Sequence, residues 1–88
     1  MYEYTSAVND PETCYNTGNS YFFGEGVAED KEAALLWYET AAEAGHTAAQ
    51  YSLATMYRFG QGTEKNTRQA ISWYGKAAGS GHRRSWPR

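Results

Sequence analysis

Eighty-eight residues, a formal charge of −2 and an aromatic share of 16 % bound the answer before any motif is read. A chain of this length makes one small domain that hides about 60–65 % of its unfolded surface. Its weakly acidic balance supplies no positive field to recruit nucleic acid or an anionic membrane. Three Leu and one Ile leave the aromatic side chains, each able to bury roughly 150–250 Å², to build the core. The single cysteine, Cys14, has no internal disulfide partner, and one Cys with two His makes no zinc cluster, so no metal and no cofactor is expected. The first ten residues lack a basic and apolar leader, and no stretch approaches the ~18 apolar residues of a membrane span, which places the chain, as written, in the cytoplasm.

Met1–Val8 reads either as the last turns of a helix whose start is absent or as a frayed leader. A first helix is expected over Glu12–Phe23, with Asp10 as N-cap, Pro11 at N1 and Glu12 in the first turn. Tyr15, Gly18, Tyr21 and Phe22 fall on one face of it. Gly18 removes a side chain where a second helix can approach, and Gly24 and Gly26 allow positive φ in the following loop. Asp30 caps a second helix, Lys31–Ala44, whose stripe of Ala34, Trp37, Tyr38, Ala41 and Ala42 has the spacing of a packed face. Gly45 ends it.

The plan then repeats. Gly24-x-Gly26 recurs as Gly60-x-Gly62, and Ala34, Trp37-Tyr38, Ala41-Ala42 and Gly45-His46 recur as Ala70, Trp73-Tyr74, Ala77-Ala78 and Gly81-His82, a period of 36 residues. A third helix is expected over Ala48–Phe59 and a fourth from Thr67 to about Ala78, started by Asn66 and Gln69 as a capping box. Gly75 and Gly79 weaken the fourth helix by about 0.5–1 kcal/mol each. A fixed period of this size marks an architecture of stacked units. The domain is therefore read as 1–88, with repeats at about 11–46 and 47–82 and a tail from 83.

The order Leu53-Ala54-x-x-Tyr57-x-x-Gly60-x-Gly62, then Asn66, Ala70 and Trp73-Tyr74-x-Lys76-Ala77-Ala78-x-x-Gly81, resembles the Sel1-like repeat. The first unit matches at Gly18, Tyr21, Gly24, Gly26, Asp30, Ala34, Trp37-Tyr38, Ala41-Ala42 and Gly45. The resemblance implies an all-α, right-handed superhelical solenoid of two helix–turn–helix units plus the N-terminal helix remnant, related to the tetratricopeptide repeat. It also implies a scaffold for protein partners. Thr17 departs from the pattern, which places Leu there, and Cys14 alone does not match the paired cysteines of the secreted members.

By analogy with tetratricopeptide units, the first helices line a concave face, where Tyr15, Asn19, Phe22, Tyr51, Thr55 and Arg58 are the candidate binding residues. Tyr15 and Tyr51 equally suit packing between units. No catalytic residue is assigned. His46 and His82 have no ligand-spaced neighbours, the glycine pairs are not followed by GK[ST], and the tryptophans belong to the core stripe. His82-Arg83-Arg84 and Arg88 form either a basic patch or a flexible end. Two units are fewer than the about three that usually make a stable array. Apolar surface should therefore remain at Ile71, Tyr74, Ala77 and Ala78 at the end and at Tyr15 and Tyr21 near the start, and self-association through the terminal helices is expected. The function expected is a non-catalytic adaptor for a protein or peptide. The alternatives are a structural spacer or solenoid fragment, or an enzyme or small-ligand binder using the aromatic groove.

Overall fold

The computed structural model describes residues 10–82, with side-chain surroundings through residue 79. The expected helix remnant over Met1–Val8 and the basic tail with Arg83, Arg84 and Arg88 lie outside the described residues. Four helices occupy the rest: α1 (Pro11–Phe23), α2 (Lys31–Glu43), α3 (Thr47–Phe59) and α4 (Thr67–His82).

Local chemistry sets each boundary. Asp10 accepts from the Thr13 N–H at 3.3 Å and Asp30 from the Ala33 N–H at 3.1 Å, each satisfying one of the orphan donors of a first turn. Gly24 and Gly60 close α1 and α3 in the left-handed region, both at φ +70, a conformation that costs other residues about 1–2 kcal/mol. The two inner loops then fold alike. Asp30 N–H donates to the Tyr21 carbonyl and Asn66 N–H to the Tyr57 carbonyl, each at 2.8 Å. That bond corrects the capping box at Asn66. Its side chain accepts from the Gln69 N–H, but the reciprocal arm is not needed, because the Asn66 N–H already serves the loop.

α1 starts at Pro11 and α2 ends at Glu43, each one residue from expectation, and two further boundaries differ for a physical reason. α3 starts one residue early because His46 is its N-cap, with Nδ1 accepting from the Ala49 N–H at 3.2 Å. The histidine is thus a helix start rather than only a helix exit. α4 runs to His82, past the Ala78 where the repeat suggested an end. In the first unit Gly45 breaks away at φ +96 to turn into α3. The equivalent Gly81 has no following helix to turn toward among the described residues and stays helical.

The helices pack in chain order, α1 on α2, α2 on α3 and α3 on α4. Their shared core is made of Ala34, Tyr38, Ala41 and Ala42 from α2, Ala49, Leu53 and Met56 from α3, and Cys14 from α1. Gln50 is the buried polar member; its side-chain N–H donates to the Ala42 carbonyl at 3.1 Å, closing the end of α2. Trp37 departs from the core reading. Tyr38 is 2 % exposed, whereas Trp37 is 36 % exposed and Trp73 is half-buried against the core. Residues 34, 38 and 41 follow the helical period down the centre of the stripe. Position 37 falls at its edge, where a ring of this size reaches the surface. No helix among the described residues is long and apolar enough to cross a membrane.

Candidate functional site: an aromatic cleft spanning both units

The first helix of each unit contributes one wall of a cleft of about 340 Å³. Tyr15, Asn19, Phe22 and Phe23 face it from α1, and Tyr51, Ser52, Thr55 and Met56 from α3. Residues 15, 19 and 22 recur at i, i+4 and i+7, so they form one stripe along α1. Tyr51, Thr55 and Arg58 form the matching stripe on α3. Tyr38 of α2 lies between the walls, and Gln61 of the second inner loop joins them.

Tyr38 organises the polar part. Its hydroxyl donates to Asn19 Oδ1, and the ring can lie there because residue 18 is glycine. A Cβ on Gly18 would fall 2.7 Å from the Tyr38 ring. Burial, then the neighbouring Tyr15 phenol, pushes the Tyr38 hydroxyl up to about 12, against a smaller opposing effect of the Ser52 hydroxyl. The group is therefore a neutral donor throughout the physiological range. One period on, the Thr55 hydroxyl donates to the Tyr51 carbonyl at 2.9 Å and lies 2.9 Å from the Tyr74 hydroxyl. Tyr74 is then the donor to Thr55, and the Asn19–Tyr38 link recurs in altered chemistry.

Aromatic contacts fix the walls. Tyr15 stacks on the His46 ring at 4.7 Å and tilts against Tyr38 at 5.7 Å. Phe22 meets Phe23 edge-on at 4.9 Å, and the Lys31 ammonium lies 4.3 Å from the Phe22 ring centroid. Lys31 also pairs with Glu29. No side chain facing the cleft is an acid or a cation, so its interior presents phenols, hydroxyls and amides.

Five of the six candidate residues, Tyr15, Asn19, Phe22, Tyr51 and Thr55, meet in this cleft. Arg58 does not line it. Its stripe runs past the end of the cleft, where the exposed guanidinium sits 5.1 Å over the Phe59 ring. Sequence reasoning missed Tyr38, assigned only to the core, along with Phe23, Ser52, Met56 and Gln61. Phe23 carried a readable signal. It recurs as Phe59, and both rings are about three-fifths exposed, at 62 % and 61 %. An aromatic repeated at a position outside the buried stripe marks exposed surface. Among the described residues no group of three His, Cys, Asp or Glu is placed to hold a metal.

Comparison with known proteins gives this geometry a context. A family model for the Sel1 repeat matches residues 11–46 and again 47–82. No curated protein matches the chain. Among solved structures, a Sel1 repeat protein from Oxalobacter formigenes is 39 % identical at a TM-score of 0.84, over 88 % of this chain and 32 % of its own. A protective antigen of uropathogenic Escherichia coli displaying an SLR fold is 32 % identical at 0.83, over 88 % and 16 %. Helicobacter pylori cysteine-rich protein B is 25 % identical at 0.82, over 90 % and 59 %. The chain thus spans less than two thirds of each of these structures.

Proposed function

We propose that this chain, which belongs to the Sel1 repeat family, is a non-catalytic adaptor that holds an extended segment of a protein partner across the cleft between its two units. The family is in general one of protein–protein interaction modules. The observation that carries the proposal is the cleft itself: aromatic walls from two units, a neutral phenol between them and no charge facing inward. At about 340 Å³ it sits at the small end of ligand pockets, roughly 300–1,000 Å³. That suits one or two bulky apolar side chains. The Asn19 and Gln61 amides beside it offer donors and acceptors of the kind a peptide backbone takes up. Tyr and Phe presented together are what binding hot spots are made of.

Panning a displayed random-peptide library on the protein tests this. Enriched peptides should share a bulky apolar residue, and Phe22→Ala or Tyr51→Ala should weaken each by about tenfold or more. Arg58→Ala should weaken them less, since that side chain lies outside the cleft. Peptides indifferent to Phe22 and Tyr51 would remove the cleft from the account, and no enrichment at all would favour a spacer. The proposal extends to contact between copies through α4, where Ile71 is 65 % exposed and Ala78 is exposed. Tyr74 and Ala77, expected on the same open surface, instead turn inward against α3; Tyr74 is half-buried and Ala77 buried. Tyr15 and Tyr21, expected to be open at the other end, are half-buried.

A further inference from the structure

The two halves of the chain carry opposite charge. Residues 1–43 hold nine carboxylates against one lysine, a formal −8, and residues 44–88 hold one carboxylate against seven Lys and Arg, a formal +6, which together give the net −2. The Gly26 loop and α4 also carry the two halves of one interface. Between the units, the second inner loop seats on the first turn of α2. A Cβ on Gly62 would fall 2.4 Å from the Lys31 carbonyl oxygen and 3.1 Å from the Glu32 nitrogen. Beyond that seat α2 presents Leu35, half-buried against the core, and Ala42, buried. One period on, α4 offers the same surface as Thr67, Arg68, Ile71 and Ala78, all four exposed. One period back, the loop at Gly26 has the backbone form of Gly62, φ +81 against +74, with nothing within 4 Å of its Cβ position.

We propose that a second copy stacks head to tail on α4 and continues the 36-residue register. Its Gly26 loop seats on Thr67 and its Glu25 comes beside Arg68. The inference rests on the self-association reading above and adds its direction. Glu25 and Arg68 are both exposed, and neither side chain has a partner among the described residues. A carboxylate is also favoured at a helix start. The opposite arrangement, α4 against α4, would set the basic helix, which contains no acid, against itself. The incoming α1 offers Thr13, Thr17 and Ser20 where α3 offers Ala49, Leu53 and Met56. The contact between copies therefore buries less apolar surface than the internal one and depends more on charge. A head-to-tail contact that continues the superhelical register leaves one open half at each end, so growth does not stop at two copies.

Sedimentation of the full chain at about 0.02 M and about 0.5 M salt tests the proposal, since the Debye length falls from about 20 Å to about 4 Å between them. At low salt the average mass should climb with concentration beyond two chains without a plateau, and at high salt it should fall to one. Arg68→Glu and Glu25→Arg should each weaken association by about tenfold, and an equimolar mixture of the two variants should restore it, because each then meets an opposite charge. Association that stops at two copies and ignores both salt and Arg68→Glu overturns the head-to-tail direction while leaving self-association standing. A single chain at every concentration in low salt overturns both. Neither result bears on peptide binding in the cleft.

Discussion

Tyr38 and Tyr74 occupy the same place in two copies of one motif, yet only Tyr38 is closed off from solvent, at 2 % exposure. Tyr38 has α1 on one side and α3 on the other; Tyr74 has α3 alone among the described helices. The ring of Tyr38 lies against Gly18, and the equivalent position one period on is Ala54. Gly26 and Gly62 make the same point in reverse, because the second-unit residue is the one pressed against its neighbour. The repeat dictates caps, loop bonds and helix faces, which are local. What a position does after that depends on whether another unit lies beside it.

That contrast is sharpest at the loop glycines. Gly62→Ala should cost about 3 kcal/mol, combining positive-φ strain with overlap on the Lys31 backbone. Gly26→Ala meets only the strain and should cost about 1 kcal/mol. Thermal melts resolve the pair, since 1 kcal/mol moves Tm by about 4–8 °C in a domain of this size. Equal losses would mean that the second inner loop does not seat on α2.

High pH tests the closed position of Tyr38 next. The folded state keeps the Tyr38 proton at a pH where the unfolded chain has released it. The contribution is therefore fully present below about pH 10 and lost as pH rises toward about 12, on the order of 2–3 kcal/mol. Tyr57, raised by burial and by Glu39, adds to the same slope. In denaturant titrations across that range Tyr38→Phe should flatten the decline. An unchanged slope in Tyr38→Phe would contradict the buried phenol.

Gly18→Ala drives a methyl to within 2.7 Å of the Tyr38 ring and should cost about 2 kcal/mol. Its far-ultraviolet dichroism should remain helical while peptide binding in the cleft falls. The smallest effect has the opposite sign. Gly75 sits inside α4 with nothing within 4 Å of its Cβ position, so Gly75→Ala should stabilise by about 0.5–1 kcal/mol. Destabilisation there would show that α4 is already covered.

The all-α repeat, both inner loops and three of the four caps were legible in the sequence, because Asp10, Asp30, Asn66 and the paired glycines act within a few residues of themselves. His46 was not, since an imidazole accepting a helix N–H looks like any other histidine in a pattern. The candidate stripes on α1 and α3 came from the analogy with tetratricopeptide units together with the spacing along each helix, and five of their six residues line one cleft. Arg58 shows the limit of that reasoning: spacing assigns a stripe, but where a cleft ends is fixed by the packing of other helices. Tyr38 was hidden for the same reason. Its ring belongs to the core of one helix while its hydroxyl reaches a surface made by two others.

The most direct test of the central proposal is a nuclear magnetic resonance titration of the full chain with a library-selected peptide, read at assigned amide and aromatic positions. The account predicts the largest shifts at Tyr15, Asn19, Phe22, Tyr38, Tyr51 and Thr55, on both walls of the cleft together. Shifts confined to α4, or to one unit with the other unmoved, would contradict it.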